Sequence, residues 1–542
     1  MRKRPVLTTL AALIVGIVAA SSLTACGGNA ASSEPDKPFV IALGNDPVSL
    51  SPGGRGAGND MWNLTRQMYD SLVYTNPETG EIEPWLAESW SVSDDATAYT
   101  FHLRDDVTFS DGTPLNAEVL KANFDDIKEA GPAANAVAEM GNYAGTDVVD
   151  EYTAVVRFHN PQVGFLPFVS GVTMGLVSAE TLKIPFEQRS TGEGVYGSGA
   201  WVLEEHKTDS HVLMRRREDY NWAPEHLKRA EVPEHRAQKL MFAVVPEAGN
   251  RVGGIVSGEF NAASVVPHDE VVIEEEGNYL VSRTNPGIAY GVYPNSYSEF
   301  LQDPAVRLAV AHTVDRPQIL EGALSPRFNA ATGPLSATTP SYVNVTDSLP
   351  SHDPEKAKQL LDDAGWVPGP DGIREKDGKR LVLRIAYPPI FPPTRAVVTL
   401  LQQQLAEVGI GAELTSGGTA EFIAIISSNS FDLSLVNYSY MDGGVMRVFF
   451  GETGSKGNYP VPDAELQEKL VQQGFITDPV ERDKALLELQ RELVESGWVI
   501  PIFELTTTFG VRDDSYGVTM AADSRLDVLL NAGWDSSWTA GG

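Results

Sequence analysis

The stretch "YDSLVYTNPETGEIEPWLAESWSVSDDATAYTFHLRDDVTFSDGTPLNAEVLKANF", residues 69–124, decides the fold class of this 542-residue chain. Inside it, "YTFHLRDDVTF" alternates Tyr99, Phe101 and Leu103 with polar residues, which predicts a half-buried strand. The next segment has helical spacing of its apolar residues. That helix would bury Val119, Leu120, Phe124 and Ile127.

The same alternation of strand and helix patterns continues on both sides of this stretch. "FVIAL" (39–43) predicts a buried strand, and residues 59–75 carry apolar residues at helical spacing. "DPVERDKALLELQRELVESG" (478–497) predicts a helix that Asp478 caps and Gly497 ends. Roughly 500 residues exceed one hydrophobic core, so we expect an α/β protein with mixed sheets and at least two lobes.

The N-terminus predicts export. "MRKR" precedes an uncharged run from Val6 to Ala20, which is typical of a secretory signal peptide and too short for a membrane span. Leu23–Cys26 resembles the bacterial lipobox, and Cys26 is the only cysteine of the chain. We expect residues 1–25 to be a signal peptide, Cys26 to be lipidated, and residues 26–38 to form a flexible tether.

Composition and motifs exclude several classes. The chain has 41 basic and 73 acidic residues, a net charge of −32, which disfavours binding to nucleic acid. "GEGVYG" (192–197) matches a dinucleotide fingerprint but lacks the strand before it and the helix after it. No nucleophile-elbow or zinc-protease motif occurs. We therefore expect no catalytic residues, no metal site and no cofactor.

The quoted stretch resembles the signature segment of the family 5 extracellular solute-binding proteins, which include dipeptide- and oligopeptide-binding proteins of ABC importers. "YGSGAWVL", "FLQDPAVRLAVAHTVDRPQIL" and "HDPEKAKQLLDDAGW" are further matches in the same order. The resemblance covers residues 39–542. It implies a two-lobe, periplasmic-binding-protein-like clamshell of type II, with lobe one at 39–287, an extra subdomain at about 83–197, lobe two at 288–503 and a return to lobe one at 504–542.

The resemblance also implies a ligand site between the lobes. In peptide-binding members, an aspartate after a second-lobe strand meets the amino group of the ligand, and Asp442 matches it in "FDLSLVNYSYMDGG" (431–444). A turn-forming role before Gly443 and Gly444 is the alternative. Many relatives continue with an acidic residue and a proline, whereas this chain continues "GGVMRVFF".

Other candidate ligand contacts lie near Asp442 or at the edge of lobe one. Tyr438, Tyr440 and Met441 could form an apolar wall, with core packing as the alternative for one of the tyrosines. Arg447 could receive a ligand carboxylate or pair with an acidic neighbour. Asn59 and Trp62 begin a helix that edges the cleft in the family, and plain burial is the alternative for Trp62. Tyr290 and Asn295 are further candidates.

These observations predict a lipid-anchored receptor that captures an extracellular solute and delivers it to ABC permease subunits. We expect a monomer on the outer face of the membrane or in the periplasm, with a peptide as its ligand. Metal chelates, siderophores and short saccharides stay open as ligands. A lipid-anchored hydrolase and a surface adhesin are the alternatives from other classes.

Overall fold

The computed structural model describes residues 37–54, 59–138, 140, 142–228, 235–388, 391–452 and 459–535. The predicted signal peptide, Cys26 and the tether up to residue 36 lie outside these described residues. In the described ranges, none of the helices combines the length and the apolar character needed to cross a bilayer.

The strands of the described residues are numbered in chain order. They are β1 (Phe39–Leu43), β2 (Val73–Thr75), β3 (Ile82–Pro84), β4 (Ala87–Val92), β5 (Ala98–Leu103), β6 (Tyr143–Val148), β7 (Thr153–Phe158), β8 (Trp201–Lys207), β9 (His211–Arg216), β10 (His235–Arg236), β11 (Lys239–Val244), β12 (Ala262–Ser264), β13 (Tyr279–Thr284), β14 (Gly287–Pro294), β15 (Val367–Pro368), β16 (Arg374–Lys376), β17 (Lys379–Arg380), β18 (Val382–Ala386), β19 (Gly411–Thr415), β20 (Leu433–Ser439), β21 (Ile500–Phe503), β22 (Thr506–Val511), β23 (Ser515–Tyr516) and β24 (Gly533–Trp534).

The α-helices are numbered in the same way. They are α1 (Asn59–Thr65), α2 (Ala117–Ala130), α3 (Phe165–Val169), α4 (Glu225–Lys228), α5 (Ala248–Val256), α6 (Glu270–Glu275), α7 (Pro304–Thr313), α8 (Arg316–Ala323), α9 (Pro354–Asp363), α10 (Thr394–Glu407), α11 (Thr419–Ser427), α12 (Val445–Phe450), α13 (Ala464–Gln472) and α14 (Pro479–Glu495).

A seven-stranded mixed sheet, in the order β13-β22-β12-β1-β11-β9-β8, forms the centre of what we call lobe one. The central strand β1 pairs in parallel with β11 and β12, while the outer strands pair antiparallel. Successive residues of β1 point to opposite faces. Ile41 therefore joins the main core, and Ala42 joins a smaller core with Val252 and Ile255 of α5.

A five-stranded mixed sheet, in the order β19-β18-β20-β14-β21, forms the centre of lobe two. Its strand β14 is buried along its whole length because helices pack on both faces of the sheet. Val292 faces a core that contains Leu401 of α10, whereas Tyr293 faces a core that contains Leu489 of α14. The capping pattern predicted for α14 is confirmed, since the Asp478 side chain accepts a hydrogen bond from the amide of Glu481.

A four-stranded antiparallel sheet, in the order β4-β5-β7-β6, forms an added subdomain with its own core. The strand predicted around Tyr99 is β5, and the helix predicted after it is α2. Val119, Leu120, Phe124 and Ile127 of α2 are all buried, as their spacing predicted. The Asn116 side chain caps α2 by accepting a hydrogen bond from the amide of Val119.

The chain passes between the two large sheets twice, at adjacent places. It leaves lobe one between β13 and β14 and returns between β21 and β22. The amide of Asn285 donates to the carbonyl of Leu505 at 2.7 Å, and the Thr507 hydroxyl donates to Asn285 Oδ1 at 2.8 Å. The two connections between the lobes are therefore hydrogen-bonded to each other.

The helix expected over residues 59–75 is shorter than predicted. It ends at Thr65, and residues 73–75 form β2. The carbonyls of Gln67 and Met68 accept hydrogen bonds from the amides of Trp201 and Gly199. These carbonyls are used by a distant segment, so the helix cannot continue through them.

Candidate functional site

A narrow cavity lies between the added subdomain and lobe two. Asn142 and residues 161–164 line one side, and residues of the 440–448 and 471–475 segments line the other, together with Arg482. The cavity measures about 50 Å³. That volume holds a few water molecules and is well below that of most small-molecule sites, so the two parts are closed against each other here.

A wider cleft lies along the same interface. It measures about 490 Å³ and is formed by the β4–β5 turn, Val163, Leu166 and the start of α14. Tyr99 and Pro479 contribute to its walls, and Val163 lines both this cleft and the narrow cavity. A volume of this size lies within the range of small-molecule sites.

Asp442 forms a two-point ion pair with Arg482 on the wall of the narrow cavity. Arg482 Nη1 donates to Asp442 Oδ2 at 2.9 Å, and Nη2 donates to Oδ1 at 2.5 Å. The Asp442 side chain is only 7% exposed and the Arg482 side chain only 9%. Asp442 Oδ1 also accepts a hydrogen bond from the amide of Gly444 at 2.7 Å. Asp442 therefore has both the turn-forming role and a cationic partner within the protein.

Burial and the ion pair both affect the pKa values of Arg482 and of the neighbouring Tyr99. Burial by itself would lower the pKa of the Arg482 guanidinium, but the hydrogen bonds and the charge of Asp442 outweigh burial and raise that pKa. Burial also raises the pKa of the Tyr99 hydroxyl, which feels both charges of the pair and donates to the carbonyl of Gln162 at 2.6 Å. Arg482 therefore remains protonated, and Asp442 needs no ligand cation to compensate its charge.

Gly164 brings the backbone of the added subdomain against this ion pair. A Cβ atom at position 164 would lie 3.1 Å from Asp442 Oδ1. That separation is tighter than ordinary van der Waals contact, so a larger residue would push the two parts away from each other. Glycine at this position allows the closed arrangement.

Tyr438 and Tyr440 lie on the same face at the end of β20. Their rings stack with centroids 6.3 Å apart, and Tyr438 also packs 6.1 Å from Phe449. Both rings are half-buried against the core of lobe two, and Tyr440 lines the narrow cavity. Met441 is half-buried and is not among the residues that line this cavity.

Arg447 lies on α12 and faces the narrow cavity. Its side chain is half-buried. Pairing with an acidic surface neighbour is one of the two roles that the sequence leaves open for Arg447. Within the described residues, no carboxylate lies within 4.0 Å of its guanidinium. Among the described residues that line the cavity, Asp442 and Arg482 compensate each other and Arg447 has no carboxylate partner.

Trp62 and Asn59, the candidate ligand contacts in lobe one, are not among the residues that line the narrow cavity. Trp62 is 6% exposed and packs with Met61 and Val172, while the Arg525 guanidinium lies 5.6 Å from its ring. Plain burial is thus the role that the structure gives Trp62. Asn59 begins α1, and its side chain lies outside the described part of the chain.

Tyr290 and Asn295 belong to the interior of lobe two, which corrects their assignment as ligand contacts. Tyr290 is 2% exposed, its ring stacks on Phe503 at 4.7 Å, and its hydroxyl hydrogen-bonds to Thr394 at 2.7 Å. Asn295 donates from Nδ2 to the carbonyl of Phe431 at 2.7 Å. Their polar groups are occupied by core partners, so neither faces the cavity.

A family model described as "Bacterial extracellular solute-binding proteins, family 5 Middle" matches residues 81–458. The chain belongs to this family. Its mixed α/β architecture agrees with that assignment and with the fold predicted from the sequence. Proteins of this family are extracytoplasmic substrate-binding components of transport systems and not enzymes.

Several known proteins are similar to this family 5 chain. The nickel-binding periplasmic protein of Escherichia coli strain K12 is 24% identical over 64% of this chain and 65% of its own length, slightly under two thirds. The glutathione-binding protein GsiB of the same strain is 26% identical over 74% of this chain and 73% of its own. The dipeptide-binding protein of Pseudoalteromonas sp. SM9913, solved with Met-Leu, has a TM-score of 0.79 at 19% identity, covering 92% of this chain and all of that one.

Sequence reasoning missed two residues of this family 5 site, Arg482 and Gly164. A signal for Arg482 was available, because it shares one helical face with Leu486, Leu489 and Leu493. An arginine within an apolar stripe needs a buried partner, which predicts an acidic residue nearby in the fold. Gly164 carried no such signal, since its importance comes from contact with a different lobe.

Proposed function

We propose that this chain is the substrate-binding lipoprotein of an ABC importer. It captures a small extracellular solute, for which a peptide is the leading candidate, between its lobes and delivers it to the membrane permease. It acts as a monomer held at the outer face of the membrane by lipid on Cys26. No bond of the solute is made or broken during capture.

The observation that carries this proposal is the interface between the added subdomain and lobe two. It contains a cleft of about 490 Å³ beside a narrow cavity with charged walls. The connections between the lobes lie side by side, which suits hinge closure around a ligand. Relatives named for glutathione and for a dipeptide support a peptide-sized solute.

Native mass spectrometry of the protein purified from its own cells tests the solute assignment. We expect a monomer that carries a small organic molecule, and we expect scattering to show a more compact particle when the molecule is bound. A metal chelate, siderophore or oligosaccharide in the complex would replace the peptide assignment. Turnover of the bound molecule would support a hydrolase instead, and scattering without solute-dependent compaction would support an adhesin.

The lipid anchor is tested separately. Mass analysis of the mature N-terminal peptide should find a diacylglyceryl group on Cys26. Cys26→Ser should move the protein out of the membrane fraction. Unmodified Cys26 in membrane-bound protein would contradict the anchor and leave solute binding intact.

A further inference from the structure

The two arginines of the narrow cavity differ in their partners: Arg482 is paired with a carboxylate, and Arg447 is not paired with any carboxylate of the described residues. Asp442 is the carboxylate that the family resemblance assigns to a ligand amine, and Arg482 already compensates it through two hydrogen bonds. Arg447 faces the same cavity, and no carboxylate of the described residues pairs with it.

We propose that the solute presents a carboxylate to Arg447, so that this site selects its ligand by an acidic group and not by an amine. This inference rests on the proposed function and names the chemical class of its ligand. A guanidinium offers two parallel N–H donors that match the two oxygens of a carboxylate. Arg447 is half-buried in the closed arrangement. Closure removes water from it, and an anion from the ligand would replace that hydration.

The rest of the cavity wall fits an acidic group. Asn142, Gln162 and Gln473 are uncharged lining residues and add no negative charge to the wall. The Gln473 amide is held by Arg482 and by the carbonyl of Leu470. The Asp442 carboxylate, the negative group on this wall, has its oxygens engaged by Arg482 and by the amide of Gly444. A ligand anion placed at Arg447 therefore meets a neutralised neighbour and not a free negative charge.

A comparison of three peptide mixtures tests the inference with unaltered protein. The first contains dipeptides and tripeptides with free ends, the second has the same sequences as C-terminal amides, and the third has them N-acetylated. We omit acidic side chains from all three, so that the terminal carboxylate is the only anion. Thermal-shift and calorimetric titration should detect binding of the free and N-acetylated mixtures and an about 10- to 100-fold weaker binding of the amides.

Substitutions of Arg447 test whether this residue causes the dependence of binding on the terminal carboxylate. Arg447→Gln should weaken binding of the free mixture by a similar factor, and Arg447→Lys should fall between it and the wild type because it keeps charge but loses the paired donors. Arg395→Gln is the matched control, since Arg395 is an exposed guanidinium on α10 of the same lobe. It should bind like the wild type.

The outcomes separate this inference from the function itself. Equal binding of amides and free acids, or full binding by a folded Arg447→Gln variant, would overturn the acidic-ligand assignment while solute binding stands. A copurifying solute without an acidic group would overturn it as well. If the wild type carries no solute and binds none of the mixtures, the proposed capture of peptides fails and the inference fails with it.

Discussion

Asp442 and Arg482 neutralise each other on the wall of the narrow cavity, at distances of 2.9 and 2.5 Å between their paired atoms. The aspartate that family resemblance assigns to a ligand amine is thus held by an arginine of α14. This relationship changes what the site can recognise. The two residues also form a buried charge pair in lobe two, and the contribution of this pair to the free energy of unfolding can be measured.

Removing Arg482 should destabilise the protein strongly. Arg482→Met leaves Asp442 buried without a counter-charge, which costs about 3–5 kcal/mol of the free energy of unfolding. Arg491→Met on the same helix is the control, because Arg491 pairs with an exposed Asp347 and should lose at most about 1 kcal/mol. Urea unfolding followed by circular dichroism measures both. Equal small losses would show that Asp442 is compensated by some other group.

Enlarging Gly164 should prevent the closed arrangement. Gly164→Leu places a side chain where a Cβ atom alone would lie 3.1 Å from Asp442 Oδ1. We expect small-angle scattering to show a larger radius of gyration in the presence of the copurified solute than for the wild type. Gly253→Leu is the control, since nothing lies within 4 Å of a Cβ atom there. Compaction of Gly164→Leu equal to that of the wild type would contradict this contact.

Tyr290→Phe should affect stability and not binding. The substitution keeps the ring on Phe503 but removes the hydrogen bond to Thr394, which costs about 1 kcal/mol. Because Tyr290 lies in the core, the affinity for the solute should equal that of the wild type. Denaturant unfolding and calorimetric titration of the same preparation measure the two effects. A loss of affinity with unchanged stability would place Tyr290 at the ligand after all.

Asp70 should make stability depend on pH. Burial raises the pKa of its carboxyl to about 6, against the hydrogen bonds from Trp222, Ser198 and Tyr220 and the charge of Arg66. In the unfolded chain this pKa is about 3.9, so the folded state binds more protons between pH of about 4 and 6. The contribution of Asp70 to the free energy of unfolding therefore falls as pH rises through this window, by about 3 kcal/mol in total.

Asp70→Asn tests that contribution. Between about pH 4 and 6, the free energy of unfolding of this variant should decrease less with rising pH than that of the wild type, because the contribution of Asp70 is missing. Asp150→Asn removes an exposed carboxylate of the added subdomain and should keep the fall in the free energy of unfolding. Urea unfolding in a series of buffers gives both profiles. Parallel profiles for Asp70→Asn and the wild type would show that Asp70 titrates alike in both states.

The sequence predicted those parts of the fold that depend on local signals. The α14 helix was predicted from Asp478 and Gly497, and the strand β5 from the alternation of Tyr99, Phe101 and Leu103 with polar residues. The helix over 59–75 was overestimated because carbonyls of Gln67 and Met68 bond to a segment that no local pattern reveals. Local patterns describe a segment by itself and cannot include such partners.

The sequence indicated which of these residues would lie close together, but it did not indicate the partners that their charges have in the structure. Resemblance implied Asp442 as a ligand contact, and closeness in the sequence added Tyr440 and Arg447; the structure brings all three to one cavity. The carboxylate of Asp442 is paired with Arg482, and that partner comes from another helix. Tyr290 was misplaced because a buried tyrosine and a ligand-binding tyrosine look alike in a sequence.

The two connections between the lobes have a practical consequence. Asn285 and Leu505 are hydrogen-bonded to each other, so the two connections would bend together. A small bend there would produce a larger displacement at positions far from the connections. Val149 and Ile423 are 62% and 55% exposed in the added subdomain and in lobe two, respectively. Dyes attached at these two positions would change their energy transfer when the solute arrives, which would make the protein a reagentless optical sensor for its own cargo.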